Sequence, residues 1–282
     1  MNATALTAWR RPSIIPGFGL TLGFTLTYLS LIVLIPISAL ILRTTTMSWE
    51  KFHLVLTNER VLAALKVSFG ASLVAACINA LFGLIVAWVL VRYRFPGRRV
   101  VDAIVDLPFA LPTAVAGIAL TAIFAPTGWL GQYFDAFGIK IAYTWIGIVI
   151  ALTFIGLPFV VRTLQPVIEE IDRQVEEAAA TLGAHRGQTM WQVILPTLLP
   201  ALLTGFVLAL ARAVGEYGSV VFIAGNIPYQ TEIVPLLIVI RLEEFDYTGA
   251  AAIATIMLAI SFAMFLTINV IQAWARRRFG DV

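Results

Sequence analysis

Long apolar stretches separated by short charged connections dominate this chain. Crossing a bilayer core of about 30 Å at 1.5 Å per residue takes about 20 apolar residues, and a helix is the element that satisfies every backbone polar group on the way. The pattern predicts six spans: Leu20 to Ile41, Val67 to Val91, Ile104 to Phe124, Ile141 to Val161, Leu198 to Ile223, and Gly249 to Trp274. Pro108, Pro112 and Pro126 interrupt the third. Proline removes a donor and kinks a helix, so this span is expected to bend or to begin late, near Pro112. The expected fold is all-α: a polytopic bundle of about six transmembrane helices. Residues 1–19 read as an N-terminal segment, 20–275 as the membrane domain with an inserted loop over 166–196, and 276–282 as a tail.

Composition supports lipid as the main solvent. The chain is 60% hydrophobic and 12% charged, far from the balance of a soluble domain. Its net charge of +3 is too small to suggest nucleic acid. Arg10 and Arg11 ahead of an apolar run resemble a secretion signal. The uncharged run from Pro12 to Leu42, however, far exceeds the roughly 7 to 15 residues of such a signal core and lacks a small-residue cleavage pattern. It reads as an uncleaved first span.

Placement of the basic residues sets the expected orientation. With the N-terminus in the cytoplasm, that side carries twelve Lys and Arg, in clusters at Arg10 and Arg11, Arg92 to Arg99, Arg162 to Arg186, and Arg276 to Arg278. The other side carries six: Arg43, Lys51, Arg60, Lys66, Lys140 and Arg241. Both termini are therefore expected inside. Cys77 has no partner and reads as a small buried residue, and His53 and His185 stand too far apart to suggest a metal site. Trp88, Tyr93, Trp129, Tyr143, Trp145 and Trp274 fall near span ends, where they serve as interfacial anchors.

The loop between the fourth and fifth spans has its own periodicity. From Pro166 to Gly183, Ile168, Ile171, Val175, Ala178 and Leu182 recur at steps of three and four, with Glu169, Glu170, Asp172, Arg173, Glu176 and Glu177 outside that face. One amphipathic helix is expected, ended by Gly183 in a left-handed cap. A second short segment, Gln188 to Leu195, is expected to be closed by Pro196. Helices that lie on membranes carry mostly basic polar faces, whereas this one is acidic and suits a protein partner.

Glu177-Ala178-Ala179, then Gly183, Val193 and Leu195-Pro196, resemble the EAA loop of permease subunits in binding-protein-dependent ABC importers. Val193 stands where that pattern usually has Ile. The resemblance implies that this loop docks on an ATPase subunit, with Glu177 anchoring the contact, Ala178 and Ala179 allowing close approach, and Gly183 permitting the turn. Two further stretches, Leu107 to Leu120 and Ala211 to Asn226, resemble the T-type permeases of sulfate/thiosulfate importers. Molybdate and tungstate permeases are similar around Arg212 to Gly218 but typically have Phe at the position of Tyr217. The likeness covers about residues 20 to 275.

Within the predicted fifth span lie Arg212, Glu216, Tyr217 and Ser219. Charges at that depth cost about 2.5 to 3.5 kcal/mol on insertion scales and should face protein or water. Arg212 and Glu216, four apart, can form a self-neutralising pair, but the order Arg then Glu is the weaker one and favours separate roles. Arg212, Glu216, Tyr217 and Ser219 are thus candidates for a translocation pathway, Arg212 being the natural attraction for an anion. Gly215, Gly218 and Gly225 permit close helix approach. Asp106 reads as a helix end-cap.

No lysine follows a glycine: Lys51, Lys66 and Lys140 follow Glu50, Leu65 and Ile139. A Walker A loop is excluded, so energy must come from elsewhere. The resemblance implies a sibling permease, two ATP-binding subunits that hold ATP and Mg, and a periplasmic sulfate-binding protein, with no cofactor in this chain. A secondary anion transporter would need matched broken repeats, and a membrane enzyme would need a catalytic constellation; neither pattern is evident in the spans.

Overall fold

The computed structural model describes residues 17–279, and among them every regular element is helical. The N-terminal segment bearing Arg10 and Arg11 lies outside the described residues, as do the side chains of Trp274 and Arg276 to Arg278. Helix α1 (Phe18–Thr45) leads through the short α2 (Trp49–Leu56) to α3 (Glu59–Arg92). Two short helices, α4 (Arg98–Val105) and α5 (Leu107–Ala110), precede α6 (Thr113–Phe124) and α7 (Gly131–Ala136). Then come α8 (Trp145–Glu170), α9 (Arg173–Thr181) and α10 (Arg186–Val214). The chain finishes with α11 (Val220–Ile223), α12 (Val234–Glu243) and α13 (Tyr247–Phe279).

Five of these helices, α1, α3, α8, α10 and α13, are long and apolar enough to cross a membrane. The third predicted span is a sixth, shorter piece. Its helix starts at Thr113, immediately after Pro112, so the late start holds while the boundary at Ile104 does not. At 12 residues α6 is about 18 Å long, well short of the hydrocarbon thickness.

Two of the prolines within the helices follow a widened turn. Pro36 in α1 and Pro196 in α10 each follow a π-helical turn, over Ser30–Leu34 and Thr189–Ile194. Widening the preceding turn accommodates a ring that brings no N–H and would crowd the carbonyl four residues back. The expected stop at Pro196 is thereby corrected: the second segment of the loop runs straight into the fifth span.

The core is a three-helix packing of α3, α8 and α10. Ala87, Leu90, Val160, Val161, Leu164, Ile168, Leu198 and Ala209 fill one end of it. Val67, Ala71, Ala75, Ile148, Leu152 and Ala213 fill the other. Gly83 and Gly205 both close on Val160, where an added Cβ would stand 2.7 and 2.9 Å from its atoms. By contrast α1 contributes nothing to this core; it lies along α13, joined by a 2.8 Å hydrogen bond between the Thr44 and Thr255 hydroxyls. Cys77, expected to be buried, is exposed on α3, because its face of that helix points away from α8 and α10.

At the end where α3 begins, Asn58 caps it by accepting from the N–H groups of Arg60 and Val61. Arg60 donates two hydrogen bonds of 2.7 Å to Glu232, a carboxylate only 2% exposed. This fork pins the segment before α12, a helix of ten residues that lies between the fifth and sixth predicted spans and is too short to cross a bilayer.

Candidate functional site

Two regions gather the candidate residues, at one end of the bundle and in its interior. The first is an elbow. Helix α8 does not stop at Pro166 but carries Ile168 into the core and breaks at Ile171. Asp172 then caps α9, accepting from the Gln174 N–H at 3.0 Å. The single amphipathic helix expected from Pro166 to Gly183 is thus two: Ile168 belongs to the span, and the elbow proper begins at Arg173. A capping aspartate inside the periodic run is what divides it.

Gly183 ends the elbow as expected, with φ +83° and open space around it. The N–H groups of Gly183 and Ala184 donate back to Ala180 and Ala179, each at 3.0 Å. Next, His185 and Gln188 form a reciprocal capping box that starts α10. Glu177 and Ala178 are exposed, Ala179 half-buried, and Leu182 is 88% exposed. Val193, Leu195 and Pro196 are half-buried in the return limb. An apolar tip held out on a capped, two-limbed support is unpartnered among the described residues.

Arg92, at the end of α3, holds the elbow to the bundle. Its guanidinium donates to the Ile171 carbonyl at 3.0 Å, pairs with Glu176 at 3.1 Å and lies over the Trp88 ring at 5.3 Å. A second clamp lies beside it. Arg162 of α8 donates to Asp102 at 2.7 Å, to Gln165 at 2.6 Å, and through Nε to Asp106 at 2.8 Å. Asp106 makes no cap hydrogen bond, so its expected capping role gives way to this ion pair. Burial alone would raise the Asp102 carboxyl, but hydrogen bonds from Arg162 and Gln165 hold it below its ordinary value. The partnerships between helices are not visible in sequence, since Arg92 and Ile171 are 79 residues apart and Arg162 and Asp102 are 60.

The second region is a break in the middle of the bundle. Where one span was expected from Leu198 to Ile223, α10 stops at Val214 and the chain turns through Gly215 to Ser219 before α11. Glu216 is 2% exposed and pairs with Arg212 at 2.5 Å, so the two are joined and the expectation of separate roles is corrected. Its other oxygen accepts from the N–H and hydroxyl of Ser219, at 2.9 and 3.1 Å. An intact helix would commit the Ser219 N–H to the Gly215 carbonyl, whereas the turn frees it for Glu216. Tyr217 packs half-buried against the core, and Ser219 is fully buried.

This break packs on the other broken element. A Cβ at Gly117 of α6 would lie 2.3 Å from the Ser219 carbonyl oxygen, and one at Gly218 would lie 2.2 Å from the Thr113 hydroxyl. Gly225 likewise abuts Tyr143, whereas Gly215 touches nothing and is not a packing glycine. The two stretches that carry the sulfate-permease resemblance, far apart in sequence, are therefore mutual neighbours. Among the described residues no group of His, Cys, Asp and Glu is arranged to hold a metal.

A bundle of membrane-crossing helices, interrupted where the third and fifth predicted spans meet and carrying a projecting capped elbow, has the architecture of a membrane permease. Residues 79–281 match the model of the binding-protein-dependent transport system inner membrane component, and the chain belongs to that family. Its relatives include the sulfate transport system permease protein CysT of Salmonella typhimurium, 51% identical over 95% of both chains. The Escherichia coli protein of that name is 50% identical over the same shares, and the one from Synechocystis 48% over 91% of this chain and 90% of its own. Among solved structures, a chain of a bacterial alginate ABC transporter in complex with its periplasmic protein aligns over 94% of this chain and 95% of its own, with a TM-score of 0.74 at 16% identity. A chain of the inward-facing MetNI methionine ABC transporter aligns over 81% and 99%, with a TM-score of 0.58 at 19% identity. These two likenesses establish the fold as that of ABC importer permeases.

Proposed function

We propose that this chain is the pore-forming permease subunit of an ATP-driven importer that carries sulfate or thiosulfate by alternating access. The reading rests above all on identity of about one half, over nearly the whole of both chains, to relatives named as sulfate permeases. A sibling permease completes the pathway, and two ATP-binding subunits, holding ATP and Mg, seat the elbow of Glu177, Ala178, Ala179 and Gly183 in a groove. A sulfate-binding protein delivers the anion at the opposite end. The elbow and both termini face the cytoplasm, in keeping with the bias of basic residues toward that side.

A dianion is too costly to move through lipid and must follow a polar route between subunits. Arg212 is one-third exposed and spends one nitrogen on Glu216, leaving other N–H groups to meet a passing oxyanion. Tyr217 and Ser219 flank that point. Closure of the ATPases pulls α9; Arg92 carries the motion into α3, α8 receives it directly through the break at Ile171, and the contact of α6 with the broken turn opens or closes the path.

The test is uptake in proteoliposomes containing the chain with its sibling and ATPase. Labelled sulfate should accumulate only with ATP and binding protein, and unlabelled thiosulfate should compete. Uptake by this chain alone would make it a secondary transporter; preference for molybdate over sulfate would move it to the molybdate/tungstate permeases.

A further inference from the structure

We propose that α4 and the bend leading into it form a docking surface for anionic phospholipid headgroups in the leaflet at the elbow end of the bundle. The proposal requires only that this end lies at a bilayer surface, whichever compartment it faces.

Helix α4 is held by one side and bare on the other. Asp102 is gripped by Arg162, Val105 is buried in the core cluster of α3 and α8, and Asp106 completes the grip just beyond the helix end. The opposite side presents Val100, Val101 and Ile104, all exposed, and Leu107 continues the apolar face into α5. Strong segregation of this kind on an eight-residue helix, at the end of a membrane span, suits a helix lying in the interface with its apolar side toward the acyl chains.

Charge selects the headgroup. Arg94, Arg98 and Arg99 stand at the start of α4, and none lies within ion-pair distance of an acid among the described residues. Arg92, two residues earlier, is turned to Glu176, the Ile171 carbonyl and Trp88. The nearby carboxylates, Asp102 and Asp106, are held by Arg162, with Gln165 also on Asp102, although the charge of Arg98 reaches Asp102 through space. Three unpaired guanidinium groups beside an apolar face match a phosphate-bearing, net-negative lipid surface, each basic group contributing about fivefold in affinity. Because Arg162 ties α4 to α8, and α8 leads into the elbow, a headgroup on α4 would brace the part of the bundle to which the elbow is joined.

The experiment compares the purified permease complex with a variant carrying Arg94→Gln, Arg98→Gln and Arg99→Gln, and with the corresponding triple Lys variant. Short-chain phosphatidylglycerol and phosphatidylcholine are titrated in, and bound lipid is counted by native mass spectrometry. Phosphatidylglycerol should bind the wild type in preference to phosphatidylcholine, about 100-fold more weakly to the Gln variant, and nearly unchanged to the Lys variant. Should the Gln triple fail to reach the membrane, Arg99→Gln alone should weaken binding about fivefold. Equal binding of both lipids to the wild type, or undiminished phosphatidylglycerol binding by the Gln variants, overturns the proposal. So does loss of the sibling permease from the Gln variant with lipid binding intact, which would make α4 a protein interface. Lipid binding is read without transport, so an incorrect substrate assignment leaves this result standing.

Discussion

Gly117 in α6 lies against the backbone of Ser219, with room for no side chain between them. Ser219 in turn donates its N–H and hydroxyl to Glu216, whose second oxygen holds Arg212. The contact therefore connects the shortened third span to the charged turn that interrupts the fifth. Gly117→Ala places a Cβ 2.3 Å from a carbonyl oxygen, and backbone must shift to relieve it, at a cost of about 1 to 3 kcal/mol. Sulfate uptake should fall at least tenfold while the protein still inserts and binds its ATPase, as checked by uptake beside co-purification.

Gly183 adopts φ +83° with empty space about it, so a substitution there meets strain before it meets a neighbour. A left-handed conformation costs an ordinary L-residue about 1 to 2 kcal/mol, less for Asn. Gly183→Asn should retain most uptake. Gly183→Arg should stay in the membrane yet lose ATPase co-purification and transport, because a long charged chain joins the face that the partner must approach. Full transport by Gly183→Arg would remove the coupling role of the elbow.

Arg92 makes three contacts that no other residue can replace together: a carbonyl at the helix break, a carboxylate on the elbow and an aromatic face. Arg92→Ala should leave the complex assembled and ATP hydrolysis within about threefold of wild type, while the ratio of sulfate moved to ATP hydrolysed falls about tenfold. Arg92→Lys should recover part of that ratio, since a lysine retains the charge but not the two-directional fork. An unchanged ratio in Arg92→Ala would show that the elbow moves the bundle without this clamp.

Asp102 contributes stability with a defined pH sign. Its carboxyl is held below its ordinary value of 3.8 when folded, so the contribution is fully present above that value and is lost as pH falls through the folded one. The group is 43% exposed, and solvent screening limits the effect to about 1 kcal/mol or less. Asp102→Asn should melt a few degrees lower than wild type from pH 8 to 5, and the gap should close only below about pH 4. A gap that widens in acid would contradict the pairing with Arg162.

Much of this was legible in one dimension. Apolar runs at Val67 to Val91 and Gly249 to Trp274 could only be spans, because lipid offers backbone groups no other partner. The glycine at 183 announced the end of the elbow, and Pro112 the start of α6. Other features were illegible for identifiable reasons. Asp172 could sit on the polar face of one helix or cap the start of another, and periodicity does not separate the two. Pro196 looks like a stop unless the preceding turn is known to widen. The stretch from Leu198 to Ile223 is apolar or uncharged apart from Arg212 and Glu216, and nothing in that pattern shows that the backbone turns at Gly215. Asp106 and Arg162 are 56 residues apart, and only packing brings them together.

By itself, the sequence determined that the chain lives in a membrane, where most of its long helices lie, and where the elbow ends, because solvent preference and local backbone chemistry are properties of neighbouring residues. Only the tertiary structure decided that α6 packs on the turn at Glu216, that Arg212 and Glu216 are joined, and that Arg92 and Arg162 tie the elbow end together. Those outcomes depend on distances between segments far apart along the chain, and such distances are set by how whole helices pack.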